Sequence, residues 1–241
     1  MTDNFKITLA QLNPTVGDLD GNADKAYAAW LIAKETGSDL VAFPEMFITG
    51  YNAQDLISKP AFQHAAINKL KELADLCAAG PTVAIGGPWS EGKSVFNAYF
   101  LLQSGKIRSV VEKHHLPNEA VFDEVRIFDS GEIGGPYSVG NTRIGSPICE
   151  DAWHEDVVET HAETGAEFLL IPNGSPYHRG KRDERLNNMV SRVIESALPL
   201  IYLNMVGGQD DQVFDGGSFV LNPGGALAVQ LPMFEETTVQ I

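Results

Sequence analysis

The sequence predicts an α/β fold in which two stacked sheets are covered by outer helices. Three observations carry this. Short apolar runs rich in β-branched and aromatic residues alternate with amphipathic stretches at helical spacing. The apolar runs number about nine, many for one sheet. No repeat, low-complexity tract or Pro/Gly/Ser linker divides the chain, so residues 1–241 read as one domain.

The elements follow in order. FKITLAQL is a strand. Residues 22–36 are a helix closed by Gly37. DLVAFPE is a buried strand. Residues 61–79 are a second helix, ended by Gly80-Pro81. TVAIGGP, VFNAYFLLQ and IRSVVEK are strands, the last two joined by a turn at Ser104-Gly105. TRIGSPIC is a strand leading to a helix over residues 152–164, which Gly165 ends. EFLLIPN is a strand and residues 183–196 a helix. LIYLNMV, GSFVLN and ALAVQL are the last strands.

Composition excludes several classes of function. Lys and Arg number 17 against 32 Asp and Glu, a formal net charge of −15. So acidic a surface repels phosphate backbones and anionic lipid, so neither nucleic acid nor a membrane is an expected partner. The longest apolar runs fall short of a membrane span, and MTDNFKITLA lacks a signal-peptide pattern. Two cysteines, Cys77 and Cys149, are no disulfide framework and point to a reducing cytoplasm.

Several strands end in one reactive residue: Glu45, Lys113, Cys149, Asn173 and Asn204. In open α/β sheets ligands bind beyond the carboxyl ends of strands, so these residues suggest one rim and one site. Cys149 also precedes a helix, whose dipole lowers a thiol pKa. Glu150 and Asp151 oppose that, so a carboxylate to take the proton and a lysine to hold developing negative charge are needed. Glu45 and Lys113 are the candidates. The bland alternative for Cys149 is a small buried hydrophobe, the reading that fits Cys77 on the apolar face of its helix.

Two other patterns carry less. GPWSEGKS matches a phosphate-binding loop, but a strand follows where the mechanism needs a helix, so a hairpin explains it better. VGGQDD fails as a pyrophosphate loop for the same reason. His114 and His115 are expected to face opposite sides, and His154 and His161 are too far apart to share a metal, so no metal site is expected.

Taken together, FPEMFITGY, KHHLPN and SPICEDAW resemble the nitrilase, or carbon–nitrogen hydrolase, superfamily over nearly the whole chain. KHHLPNEAVFDEVRIF, ICEDAW, IPNGSPYHRGKRDER and NMVGGQDDQVFDGGS are similar to one branch, the glutaminase domains that precede the synthetase domain in glutamine-dependent NAD(+) synthetases. The resemblance implies a four-layer αββα sandwich and a homo-oligomer. It implies hydrolysis of the glutamine side-chain amide, with ammonia passed to a synthetase domain or subunit. Glu45 would be the base, Cys149 the nucleophile, and Lys113 with the Glu150 N–H the oxyanion donors. Glu124 would position Lys113 or bind the glutamine ammonium. Ser175, Tyr51 and Trp153 match substrate-pocket positions, while Arg182 and Arg185 are left outside the site. No cofactor is expected for this step; ATP and Mg²⁺ belong to a synthetase domain, which this chain lacks. Glu119 departs from the branch, which has an aromatic there. Two further readings stay open: a stand-alone amidase, ω-amidase or carbamoylase of the superfamily, and a silent binding module of the same fold.

Overall fold

Strands and helices alternate as the apolar periodicity requires. The computed structural model describes residues 4–119 and 121–241. In chain order the elements are β1 (Ile7–Gln11), α1 (Leu19–Glu35), β2 (Leu40–Ala42), α2 (Pro60–Leu76), β3 (Thr82–Glu91), β4 (Ser94–Gln103) and β5 (Lys106–Glu112). Then come β6 (Tyr137–Val139), β7 (Thr142–Gly145), α3 (Glu155–Glu163), β8 (Phe168–Asn173), α4 (Lys181–Ser196) and β9 (Leu200–Asn204). The chain continues through β10 (Val206–Gln209), β11 (Gln212–Asp215), β12 (Phe219–Leu221), β13 (Leu227–Gln230) and β14 (Thr237–Gln240). Local chemistry sets the helix starts. Asp18 accepts the Gly21 N–H at 2.9 Å and caps α1. Pro60 opens α2, where its missing N–H costs nothing.

Two six-stranded sheets form, in the orders β14-β1-β2-β3-β4-β5 and β13-β12-β9-β8-β7-β6. Alternate side chains along each strand face opposite ways, so each sheet has two apolar faces. Val41, Val83 and Ile85 pack under α1 and α2 with Trp30, Leu70 and Phe100. Their neighbours Leu40, Ala42 and Ala84 face the other way and meet Ile144, Leu170 and Leu203 of the second sheet. Leu169, Ile171 and Tyr202 turn outward and pack with Met189 and Val193 of α4. The layers are therefore helix, sheet, sheet, helix. This is the expected αββα sandwich.

The structure corrects several boundaries. TRIGSPIC is a strand only to Gly145, because Pro147 has no N–H to continue a ladder. The helix expected over residues 152–164 is two pieces: a single 3₁₀ turn at Cys149–Trp153 and then α3, separated by His154 in extended backbone. LIYLNMV ends at Asn204, and Val206 begins the separate β10–β11 hairpin. GPWSEGKS is the β3–β4 hairpin, with Ser90 opposite Val95. Four strands were not expected: β6, β10, β11 and β14. Among the described residues no helix is long and apolar enough to cross a membrane. The opening residues read for a leader fall partly outside the described range.

Candidate active site

The polar strand ends come from two facing sheets rather than from one rim. Glu45 sits in the tight turn after β2, and Lys113 follows β5 directly. Both are fully buried. The turn can lie against β3 only because residue 86 is glycine: a Cβ there would stand 2.2 Å from the Met46 nitrogen. Glu124 enters from a short 3₁₀ turn and is also buried. Cys149 opens its own 3₁₀ turn with φ +48°, a left-handed conformation that β-carbon sterics disfavour. Asp151 stabilises that turn by accepting the Ile148 N–H at 3.0 Å.

Lys113 Nζ donates to Glu45 Oε1 at 2.7 Å and to Glu124 Oε2 at 2.8 Å. Asn97 Nδ2 donates to Glu45 Oε1 at 2.8 Å and to Glu124 Oε1 at 3.2 Å. Tyr51 Oη donates to Glu124 Oε1 at 3.0 Å, and the Gly174 N–H to Glu45 Oε2 at 2.7 Å. Two carboxylates thus share one ammonium away from water. Burial works against the Lys113 charge, but Glu124 and Glu45 outweigh it and hold its pKa well above the usual range. Burial, then the Glu45 charge against the attraction of Lys113, pushes Glu124 up to about 7. Burial and the Glu45 charge also push the Cys149 thiol well up. The expected lowering by a helix dipole is overridden, because the helix that starts at Cys149 is a single 3₁₀ turn and the thiol is buried.

Cys149 lines a cavity of about 430 Å³. Glu150, Trp153 and Ser175 also line it, so the sequence-derived pocket residues come together. Tyr51 is behind this wall: it is buried and reaches the cluster through Glu124. Phe122, Tyr177 and Lys181 are among the other lining residues; Lys181 Nζ stands 4.4 Å over the Trp153 ring. Glu119 and Arg182 are exposed. Asn173 and Asn204 serve the scaffold. Asn173 donates to Ile171 O and Leu203 O, and Asn204 Oδ1 accepts the Ser175 N–H at 2.9 Å. Cys77 is buried in the helix-side core, its pKa pushed up to about 12 by burial.

Sequence reasoning missed three groups. Asn97 bridges the carboxylates; its signal was a lone amide inside the apolar run VFNAYFLLQ. The Gly174 N–H left no signal. Arg185 is buried, pairs with Asp215 at 2.8 Å, and donates to the carbonyls of Ser175 and Pro176 at 2.8 and 3.0 Å. It holds the cavity wall in place. The two neighbouring histidines also differ from expectation. The chain leaves the ladder after Glu112, so the rings of His114 and His115 pack edge to face, with centroids 4.7 Å apart. His154 is exposed, whereas His161 is buried, its pKa lowered to about 4 by burial.

The geometry has parallels in known proteins. Residues 6–241 match the carbon-nitrogen hydrolase family. The chain is 55% identical over its full length to a glutamine-dependent NAD(+) synthetase from Rhodobacter capsulatus, of which it covers 44%. It is 38% identical to the Thermotoga maritima enzyme of the same description, over 98% of this chain and 42% of that protein. A glutamine-dependent NAD(+) synthetase structure from Acinetobacter baumannii superposes with a TM-score of 0.90 at 33% identity, over 98% of this chain and 45% of that one. An amidase from Nesterenkonia sp. shares the fold, with a TM-score of 0.84 at 24% identity over 98% of this chain and 89% of that one. The chain spans less than half the length of the synthetases it matches. On its matched residues and its fold, the chain belongs to the carbon-nitrogen hydrolase family.

Proposed function

We propose that the chain hydrolyses the side-chain amide of glutamine through a thioester on Cys149, and that the ammonia serves a synthetase domain or subunit in making NAD(+). The arrangement of Cys149 in the wall of a cavity, beside the buried Glu45–Lys113–Glu124 cluster, carries this reading. The thiol is neutral, so attack needs a base, and Glu45 takes the proton as sulfur bonds to the amide carbon. Lys113 and the Glu150 N–H hold the resulting oxyanion. As the carbon–nitrogen bond breaks, the proton on Glu45 goes to the leaving nitrogen and ammonia departs. Water then attacks the thioester, gives a proton to Glu45, and releases glutamate as the thiol is restored. Glu124 completes the charge balance around Lys113. Trp153 and Ser175 shape the pocket for the chain of the amino acid, and Tyr51 holds Glu124. No metal or cofactor enters these steps. In this reading the chain acts in the cytoplasm as a homo-oligomer.

Ammonia release from glutamine and from short aliphatic amides tests the reading. Glutamine is the preferred substrate, and Cys149→Ala abolishes release with the far-UV circular dichroism unchanged. A preference for short amides assigns a stand-alone amidase instead, and undiminished release by Cys149→Ala removes the mechanism.

A further inference from the structure

The loop after Lys113 carries a second cluster that the chemistry above does not use. His114, His115 and Asp156 each offer one donor atom within 4.8 Å of the other two. The histidines belong to the loop that leaves β5, and Asp156 to the first turn of α3. His114 Nδ1 donates to Gly131 O at 2.7 Å, which leaves Nε2 with a free lone pair in the neutral ring. A carbonyl on the far nitrogen is the outer contact that orients metal-binding histidines. His115 Nε2 faces both oxygens of Asp156, at 2.8 and 3.0 Å. The His115 ring is held from both sides, by the edge of His114 and by His154 stacked at 3.8 Å. The backbone beneath is fixed as well: Asp151 Oδ1 accepts the N–H groups of His114 and His115 at 3.1 and 2.7 Å. The cluster is open to solvent, with 24% of the His115 side chain and 50% of the Asp156 side chain exposed.

We propose that His114, His115 and Asp156 form a binding site for a divalent transition-metal ion of the zinc class, outside the cavity that holds Cys149. Two imidazoles and one carboxylate suit zinc, nickel or copper, whereas calcium and magnesium favour all-oxygen sets. Ligands about 2.0–2.1 Å from a tetrahedral ion stand about 3.3 Å apart. The His115–Asp156 pair is already that close, and since the three atoms lie within 4.8 Å of one another, His114 need approach by no more than about 1.5 Å. Water fills the fourth position. The ion ties the loop carrying Lys113 to the start of α3. Asp151 links the same loop to the Ile148 N–H beside Cys149.

The test uses a Cys149→Ala chain, so that the active-site thiol takes no metal. Co²⁺ is titrated and followed by visible absorption, and Zn²⁺ by calorimetry. One equivalent of each binds, and His115→Ala and Asp156→Asn each weaken it about tenfold or more with unchanged circular dichroism. Absence of stoichiometric binding overturns the proposal, as does binding of equal strength in both variants.

Discussion

Cys149 is a buried thiol, and in the proposed mechanism its reactivity is borrowed from its neighbours. Glu45, the proposed base, is paired at 2.7 Å to Lys113, the proposed oxyanion donor. Glu124 is the group in this cluster that titrates near neutrality, at about 7. Its folded pKa lies above the ordinary carboxylate value. Its contribution to stability is therefore present at low pH and is lost as pH rises through about 7. Its effect on activity runs the other way, because only the ionised form keeps its charge pair with Lys113, the proposed oxyanion donor. With glutamine, kcat/KM falls as pH drops below about 7, and Glu124→Gln removes that limb. An unchanged profile in the variant contradicts the assignment. Glu45, Lys113, Cys149 and Glu124 could be picked out because their residue types carry chemistry and their flanking motifs are distinctive. Asn97 was hidden in an apolar strand, and the Gly174 contact is backbone, which no residue type announces. Arg185 was left outside the site because sequence alone does not show its partner, Asp215, which arrives from a distant hairpin.

Elements position these residues through close approach. The turn bearing Glu45 lies on β3 at Gly86, and β5 ends where Lys113 must begin. Gly86→Ala pushes the 44–46 backbone away and breaks the Glu45–Lys113 register. Activity falls by about 10²-fold, the usual cost of roughly an ångström of misplacement, while Cys149 remains present. Full activity in that variant would show that the turn can relax. Long elements were readable: α1, α2 and α4 match their periodicity to within a few residues. The 3₁₀ turn at Cys149–Trp153 was not, since SPICEDAW runs into α3 without a glycine or proline to mark the break at His154. The strands that went unseen are three or four residues long, and Gly207–Gly208 or Thr237–Thr238 weaken the apolar alternation that identifies a strand.

The whole molecule buries its chemistry between two sheets and leaves a strongly acidic exterior. A net charge of −15 makes the compact state repel itself. Raising ionic strength from about 0.01 to about 0.15 M shortens the screening length from about 30 to about 8 Å, so the thermal midpoint rises. A fall instead would mean that surface ion pairs outweigh the repulsion. The sandwich itself was legible from strand count and alternation, because each strand presents apolar residues to both of its faces. The pairing order of the strands was not, since β14 returns from the far end of the chain to join β1. Labelling with a diazoketone analogue of glutamine, read by intact mass and peptide mapping, tests whether Cys149 is an activated nucleophile in a glutamine pocket. A single adduct is expected on Cys149 and none on Cys77. Equal labelling of the two cysteines, or no adduct at all, would rule that out.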